Sequence, residues 1–164
     1  MPIVSIRLKP YLKKFIISIS QNKAEPVRFK KGSDWNMLLK DLVTNYNQLR
    51  LLPIMDKERV ILHFSSGYSS NEIINIKLPR FRRKNVDYHN YISFDSEKEF
   101  VADITNYYKY CFRRHLRQSL SMGIQRKTAI ESFMKLHNIS EDDVKYSSLY
   151  RYSTRLIKTD KLTN

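Results

Sequence analysis

Three cations, Lys109, Arg113 and Arg117, recur every fourth residue in a stretch whose apolar residues follow a helical period. On a helix they fall in a line, each roughly 6 Å from the next, with Arg114 and Tyr110 beside them. Like charges so spaced destabilise an isolated helix, and a polyanion lying along them removes that cost. The chemistry of such a row is phosphate contact; the bland alternative is a solvated helix face. A second set is Lys77-Leu78-Pro79-Arg80-Phe81-Arg82-Arg83-Lys84, five cations in eight residues. Pro79, which has no N–H to give to a ladder, ends the preceding strand. Arg80, Arg82, Arg83 and Lys84 are expected to clamp a phosphate backbone, with Phe81 stacking on a base or wedging a base step.

A third set lies near the end of the chain. At helical spacing Tyr146, Ser147, Tyr150, Arg151, Thr154 and Lys158 share one side, and Val144, Ser148, Leu149, Tyr152 and Leu156 the other. The first side suits a groove of duplex DNA: Arg can bond O6 and N7 of guanine together, and hydroxyls can contact phosphates or base edges. Glu141, Asp142 and Asp143 stand against this, because they sit where a recognition helix approaches the bases. Ser147, Tyr150 and Arg151 would therefore have to dock through the middle of the helix. A fourth set, Arg7, Lys9, Lys13, Lys14, Arg28, Lys30 and Lys31, either extends the positive surface or guards strand edges.

Catalytic chemistry is poorly supplied. There is no phosphate-binding glycine loop, no dinucleotide fingerprint and no nucleophile elbow. The single cysteine, Cys111, falls within a helical apolar pattern and reads as a small buried hydrophobe. His63, His89, His115 and His137 lack metal-ligand spacing. Asp87, His89, Asp95, Glu97 and Glu99 cluster in sequence, but the last three read as acids at a helix start rather than as magnesium ligands. Tyr150 with Arg151 and Arg155 lacks the remaining groups of a tyrosine strand-transferase. The expectation is a protein that is not an enzyme and carries no metal or cofactor.

These residues must be held by a folded core. Hydrophobic residues make up 41% of the 164, enough to build one. Thirty Lys plus Arg against sixteen Asp plus Glu give a formal charge of +14, an excess most simply balanced by a polyanionic partner. The charge is blocked: residues 1–31 carry eight Lys/Arg and one acid, residues 77–127 twelve and five, and the remaining stretches nearly balance. No stretch reads as a signal peptide or reaches the roughly 18 apolar residues of a membrane span, so the expectation is no membrane and a cytoplasmic setting.

The elements follow from period and punctuation. Ile3–Leu8 and Leu12–Ser20, where Phe15, Ile17 and Ile19 alternate, predict strands, and Val27–Phe29 a short one. Ser33 predicts a helix N-cap, followed by a stripe of Trp35, Leu38, Leu39, Leu42, Val43, Tyr46 and Leu49 that Pro53 closes. Arg59–Phe64 and Ile74–Leu78 predict a hairpin around Ser65–Ser70, and the chain then turns irregular until about residue 95. A long helix with Asp95 or Ser96 as N-cap carries Phe100, Ile104, Tyr107, Tyr108, Cys111, Phe112, Leu116 and Leu120 and ends near Met122, with Gly123 past its end. A second helix spans Gln125–His137 with Ala129, Ile130, Phe133 and Met134 inward. After a turn at Asn138-Ile139-Ser140, a third runs from Glu141 to about Lys158, started by Ser140 with Asp143.

The run Arg126-Lys127-Thr128-Ala129-Ile130, Phe133, His137-Asn138-Ile139-Ser140, Val144 and Ser148-Leu149-Tyr150-Arg151 resembles helix-turn-helix proteins of phages and mobile elements, the Mor-type transcription activators among them. Over its length the chain is similar in style to proteins of phages and integrated elements of Bacteroides-like bacteria. The resemblance covers about thirty-five residues and implies a DNA-binding regulator with its contacts on Val144–Arg155; the β-rich first half has no Mor counterpart.

The expected fold is α+β: a small antiparallel sheet with a packed helix over residues 1–90, then a helical bundle with a helix-turn-helix-like unit over 91–164. The expected function is binding of nucleic acid, duplex DNA foremost, in regulation, replication or packaging of a phage or mobile genome, in host cytoplasm or virion. Lys109, Arg113, Arg114 and Arg117 would hold phosphates, Arg80–Lys84 would clamp, and Ser147, Tyr150, Arg151 and Lys158 would meet the groove. The alternatives are a virion or assembly protein, which predicts a homo-oligomer or a protein partner, and a binder of single-stranded DNA or RNA.

Overall fold

A computed structural model describes residues 3–45, 72–78, 80 and 89–162. Within these the fold is α+β, with five helices and short antiparallel strands. Strand β1, Ile3–Arg7, pairs with β3, Ile73–Lys77, in a register that sets Val4 opposite Ile76 and Ile6 opposite Ile74. Side chains alternate across a strand, so these four share one face, and all are buried. On the other face Ser5 Oγ donates to Asn75 Oδ1 at 2.7 Å, between register partners. Val27 lies along the free side of β3 as a one-residue parallel bridge to Ile76, in place of the expected strand. Strand β2, Val43–Asn45, pairs with β4, His89–Ile92. The hairpin partner expected at Arg59–Phe64 lies outside the described residues.

The segment expected as a second strand is instead helix α1, Pro10–Ile19. Its branched residues favour a strand, but Leu12, Phe15 and Ile16 are spaced for one helical face, and all three are buried. Pro10 occupies the first helical turn, where its missing N–H costs nothing. Helix α2, Asp34–Leu42, starts as expected: Ser33 Oγ accepts the Asn36 backbone N–H at 3.3 Å. It stops seven residues short of the expected Leu49, because Val43 and Thr44 enter β2 and pair with β4. Tyr46, Leu49 and Pro53 lie outside the described residues. The stretch before residue 95, expected to be irregular, contains β4.

Helix α3, Phe94–Ser121, is about 42 Å long at 1.5 Å per residue and forms the spine of the molecule. Ser93, not Asp95 or Ser96, is its N-cap, accepting the Ser96 N–H at 3.1 Å. Phe100, Ile104, Tyr108, Phe112 and Leu116 form its buried stripe. Glu97 lies in the first turn as expected, is buried, and accepts the Arg7 backbone N–H at 2.6 Å, fixing the end of β1 to the helix. Gly123, at φ 78°, ends α3 in a Schellman arrangement: its N–H bonds the Leu120 carbonyl and the Ile124 N–H the Ser119 carbonyl.

Helix α4, Arg126–Leu136, ends the same way, with Asn138 at φ 53° and the Ile139 N–H on the Met134 carbonyl at 2.8 Å. Ala129, Ile130, Phe133 and Met134 are inward as expected. Helix α5 is Tyr146–Leu162, beginning five residues later than expected. The contact between Ser140 and Asp143 does form, with Asp143 Oδ2 accepting the Ser140 N–H and Oγ, each at 2.7 Å. It closes a turn at 141–143 rather than opening a helix. Residues 137–145 therefore join α4 to α5, a longer connection than the three-residue turn expected.

One hydrophobic cluster draws on both halves of the chain, from Val4 and Ile6 to Ile139 and Leu149. At its centre the rings of Phe15, Tyr108, Phe112, Phe133 and His137 pack at 4.6–5.6 Å between centroids, mostly edge to face. Edge-to-face pairs contribute roughly 0.5–1.5 kcal/mol each beyond their buried area. These contacts lock α1, α3 and α4 together.

Candidate nucleic-acid interface

The outer face of α5 is built by the inward pull of Leu149 and Ser153, both buried. Ser153 satisfies its hydroxyl on the Tyr150 carbonyl at 2.7 Å. With those two turned in, Ser147, Tyr150, Arg151, Arg155 and Lys158 are exposed along the opposite side. Thr154, expected to share that side, is half-buried. Ser148, expected inward, is exposed, and the small residue that packs inward is Ser153.

A residue that sequence reasoning did not single out as a contact completes this face. Arg126, the first residue of α4, reaches across to α5: Nη1 donates to Thr154 Oγ1 at 2.9 Å, and the guanidinium carbon sits 4.6 Å over the Tyr150 ring. Tyr146 and Tyr150, one turn apart, have ring centroids 6.0 Å apart. Arg126, Tyr150 and Tyr146 thus form a surface row of planar groups with one cation on it. The signal in sequence was faint, because the partners are twenty-eight residues apart along the chain.

The acids that weighed against this face are rearranged. Asp143 is turned inward, its side chain 8% exposed, and pairs with Lys14 Nζ at 2.7 Å. Burial alone would raise its carboxyl, but the hydrogen bonds from Lys14 and Ser140 outweigh it and hold the group below the ordinary carboxylate range. Glu141 and Asp142 are exposed, in the connection rather than in the first turn of the helix.

The basic row on α3 is not one uniform face. Lys109 and Arg117 are exposed, while Arg113 is half-buried toward α5. Burial raises the Tyr152 phenol, and the Arg113 charge acts against that rise. Arg113 and Arg117 both take part in interactions within the fold. Arg114 is exposed and lies beside Tyr107 and Cys111, where its charge lowers both groups against the rise that burial imposes. At Cys111 burial outweighs that charge and leaves the thiol above its ordinary value, a poor nucleophile.

Of the clamp, Arg80 is exposed. Arg82, Arg83 and Lys84, with Phe81, lie outside the described residues. Among the N-terminal cations Lys13 pairs with Glu25 at 3.0 Å, whereas Arg7, Lys9, Arg28, Lys30 and Lys31 are exposed. Between α1 and the 137–145 connection lies a groove of about 690 Å³ that includes Lys14, Ser18, His137, Asp142 and Asp143. Ser18 Oγ and His137 Nδ1 are 2.7 Å apart there. Burial first, then the charge of His115, hold His137 below its ordinary value.

Among the described residues no group of three or more His, Cys, Asp or Glu is placed to hold a metal ion, and no helix is long and apolar enough to cross a membrane. No protein-family model matches this chain, and comparison with curated proteins and with solved structures gives no match.

Proposed function

We propose that this protein binds nucleic acid without catalysing a reaction on it, and that the outer face of α5 meets duplex DNA. The observation that carries the reading is the exposed stripe of Ser147, Tyr150, Arg151, Arg155 and Lys158, with Arg126 braced on Tyr150 at its edge and Asp143 turned away from it. A row of cations one turn apart follows phosphates, and Tyr and Ser hydroxyls can reach backbone or base edges. The formal charge of +14 supports a polyanionic partner. A role in regulating, replicating or packaging a phage or mobile genome rests on the resemblance of residues 123–155 alone.

The test is equilibrium binding of the purified protein to a fluorescent DNA duplex across a salt series. The expected result is tight binding at low salt that weakens linearly on a double logarithmic scale, by roughly 0.9 per phosphate contacted. No binding to duplex at about 50 mM salt, where such contacts are strongest, overturns the duplex reading.

A further inference from the structure

A row of aromatic rings runs outward from the core on the side of α3 that carries Arg114. Trp35, in the first turn of α2, rests edge-on against buried Phe100 at 6.2 Å. The Phe29 ring lies 6.2 Å from Trp35 and the Tyr107 ring 5.3 Å from it. Tyr107 is in turn stacked with Tyr110 at 6.3 Å, their planes 25° apart. Exposure rises along the row: Phe29 and Trp35 are half-buried, Tyr107 is 39% exposed and Tyr110 57%. Cys111 lies one turn beyond Tyr107 on α3, and the two groups influence each other's ionisation.

Rows of aromatics are commonly the rim of a core, and Phe29 and Trp35 do serve that purpose here. The rim reading does not account for Tyr110, which is more exposed than covered and lies beyond the part of the row that the core needs. Nor does it account for the charges. Arg28, Lys30 and Lys31 are exposed around Phe29 at one end, and Arg114 is exposed at the other. The acids nearest in sequence to the row are Asp34, beside Trp35, Asp103, one turn before Tyr107, and Glu25, four residues before Phe29; all three are exposed, and Glu25 is engaged by Lys13 and the Asn75 N–H.

We propose that this row stacks the unpaired bases of a single-stranded nucleic acid, whose phosphates run between the Arg28–Lys31 cations and Arg114. The inference rests on the nucleic-acid reading above and names a second element of its substrate. Aromatic faces take any base, because every base has a π-face, and flanking cations hold the strand. The spacing favours unpaired bases. Rings 5.3–6.3 Å apart do not match base pairs stacked at about 3.4 Å, and in a duplex each base face is already covered by its neighbours.

Trp35 is the only tryptophan in the chain, so its emission reports directly on this row. The experiment titrates the full-length protein with an oligothymidylate of about 15 nucleotides and, separately, with a blunt duplex of the same length. The expected result is that the single strand changes Trp35 emission, that the duplex does not, and that Tyr110→Ala weakens single-strand binding roughly 10-fold while leaving duplex affinity unchanged. Tyr110→Trp restores it. Single-strand binding that leaves Trp35 emission and the Tyr110→Ala affinity unaltered overturns the row as the site while the nucleic-acid reading stands. Failure of both polymers to bind overturns both.

Discussion

Lys14 Nζ and Asp143 Oδ2 meet at 2.7 Å across 129 positions of sequence, pinning the connection between α4 and α5 to α1. The pair withdraws a carboxylate from the approach to α5. Lys14 is 38% exposed, so solvent screening limits its energetic weight. Lys14→Ala is expected to cost about 1 kcal/mol or less. Because the Asp143 carboxyl is held low in the folded chain, its contribution is present above the ordinary carboxylate range and lost as pH falls through the lowered value. Urea denaturation at pH 6 and pH 3 measures this: the wild type loses more stability between the two than Lys14→Ala does, and equal losses would show that the pair does not act on folding.

His137 supplies a second pH dependence of opposite chemistry. It is buried between Phe15 and Phe133 and held below its ordinary value of about 6.5. The unfolded chain takes up this proton as pH falls through about 6.5, and the folded chain only at lower pH. Stability is therefore full above that window and declines as pH falls through it, by at most about 1.4 kcal/mol per pH unit. His137→Phe keeps a ring in place and removes this slope. Denaturation curves at pH 7.5 and 5.5 that converge no more in the variant than in the wild type would count against it.

The Tyr108 hydroxyl is buried and has no hydrogen-bond partner among the described residues. Burial first, then Tyr11 and Tyr152, raise its phenol well above the ordinary tyrosine value. A buried hydroxyl without a partner costs about 1–3 kcal/mol of desolvation. Tyr108→Phe keeps the ring contacts with Phe15 and Phe133 and is expected to leave stability unchanged or raise it by about 1 kcal/mol. A clear fall in melting temperature would mean the hydroxyl is satisfied.

On α5, the combined change Arg151→Ala, Arg155→Ala and Lys158→Ala removes three exposed cations, so the fold is expected to persist. Duplex affinity falls, and the salt slope drops by roughly 0.9 for each phosphate that is no longer neutralised. Arg126→Ala removes both the Thr154 hydrogen bond and the cation over Tyr150, and is expected to weaken binding as well. An unchanged slope in the triple variant would place the footprint elsewhere.

Local signals in the sequence marked the helical half well. The stripe from Phe100 to Leu116, the inward set Ala129, Ile130, Phe133 and Met134, and the stops at Gly123 and Asn138 all depend on neighbours within one or two turns. The first half was less legible, because α1 is rich in strand-favouring residues whose helical state is decided by packing on α3. On α5, Ser148 and Ser153 are chemically alike, and only the packing of the helix decides which one turns inward. The Arg126–Tyr150 contact and the Lys14–Asp143 pair join residues far apart in the chain. No local period announces either one.

The docking of α1 also fixes an order of events during synthesis. Its Phe15 is covered by Tyr108 and His137, and its Lys14 and Ser18 find partners at Asp143 and His137. A chain growing from its N-terminus makes α1 long before it makes any of them. The inner face of α1 is therefore covered in full only once residue 143 has been made, which ties folding of the first half to completion of the second.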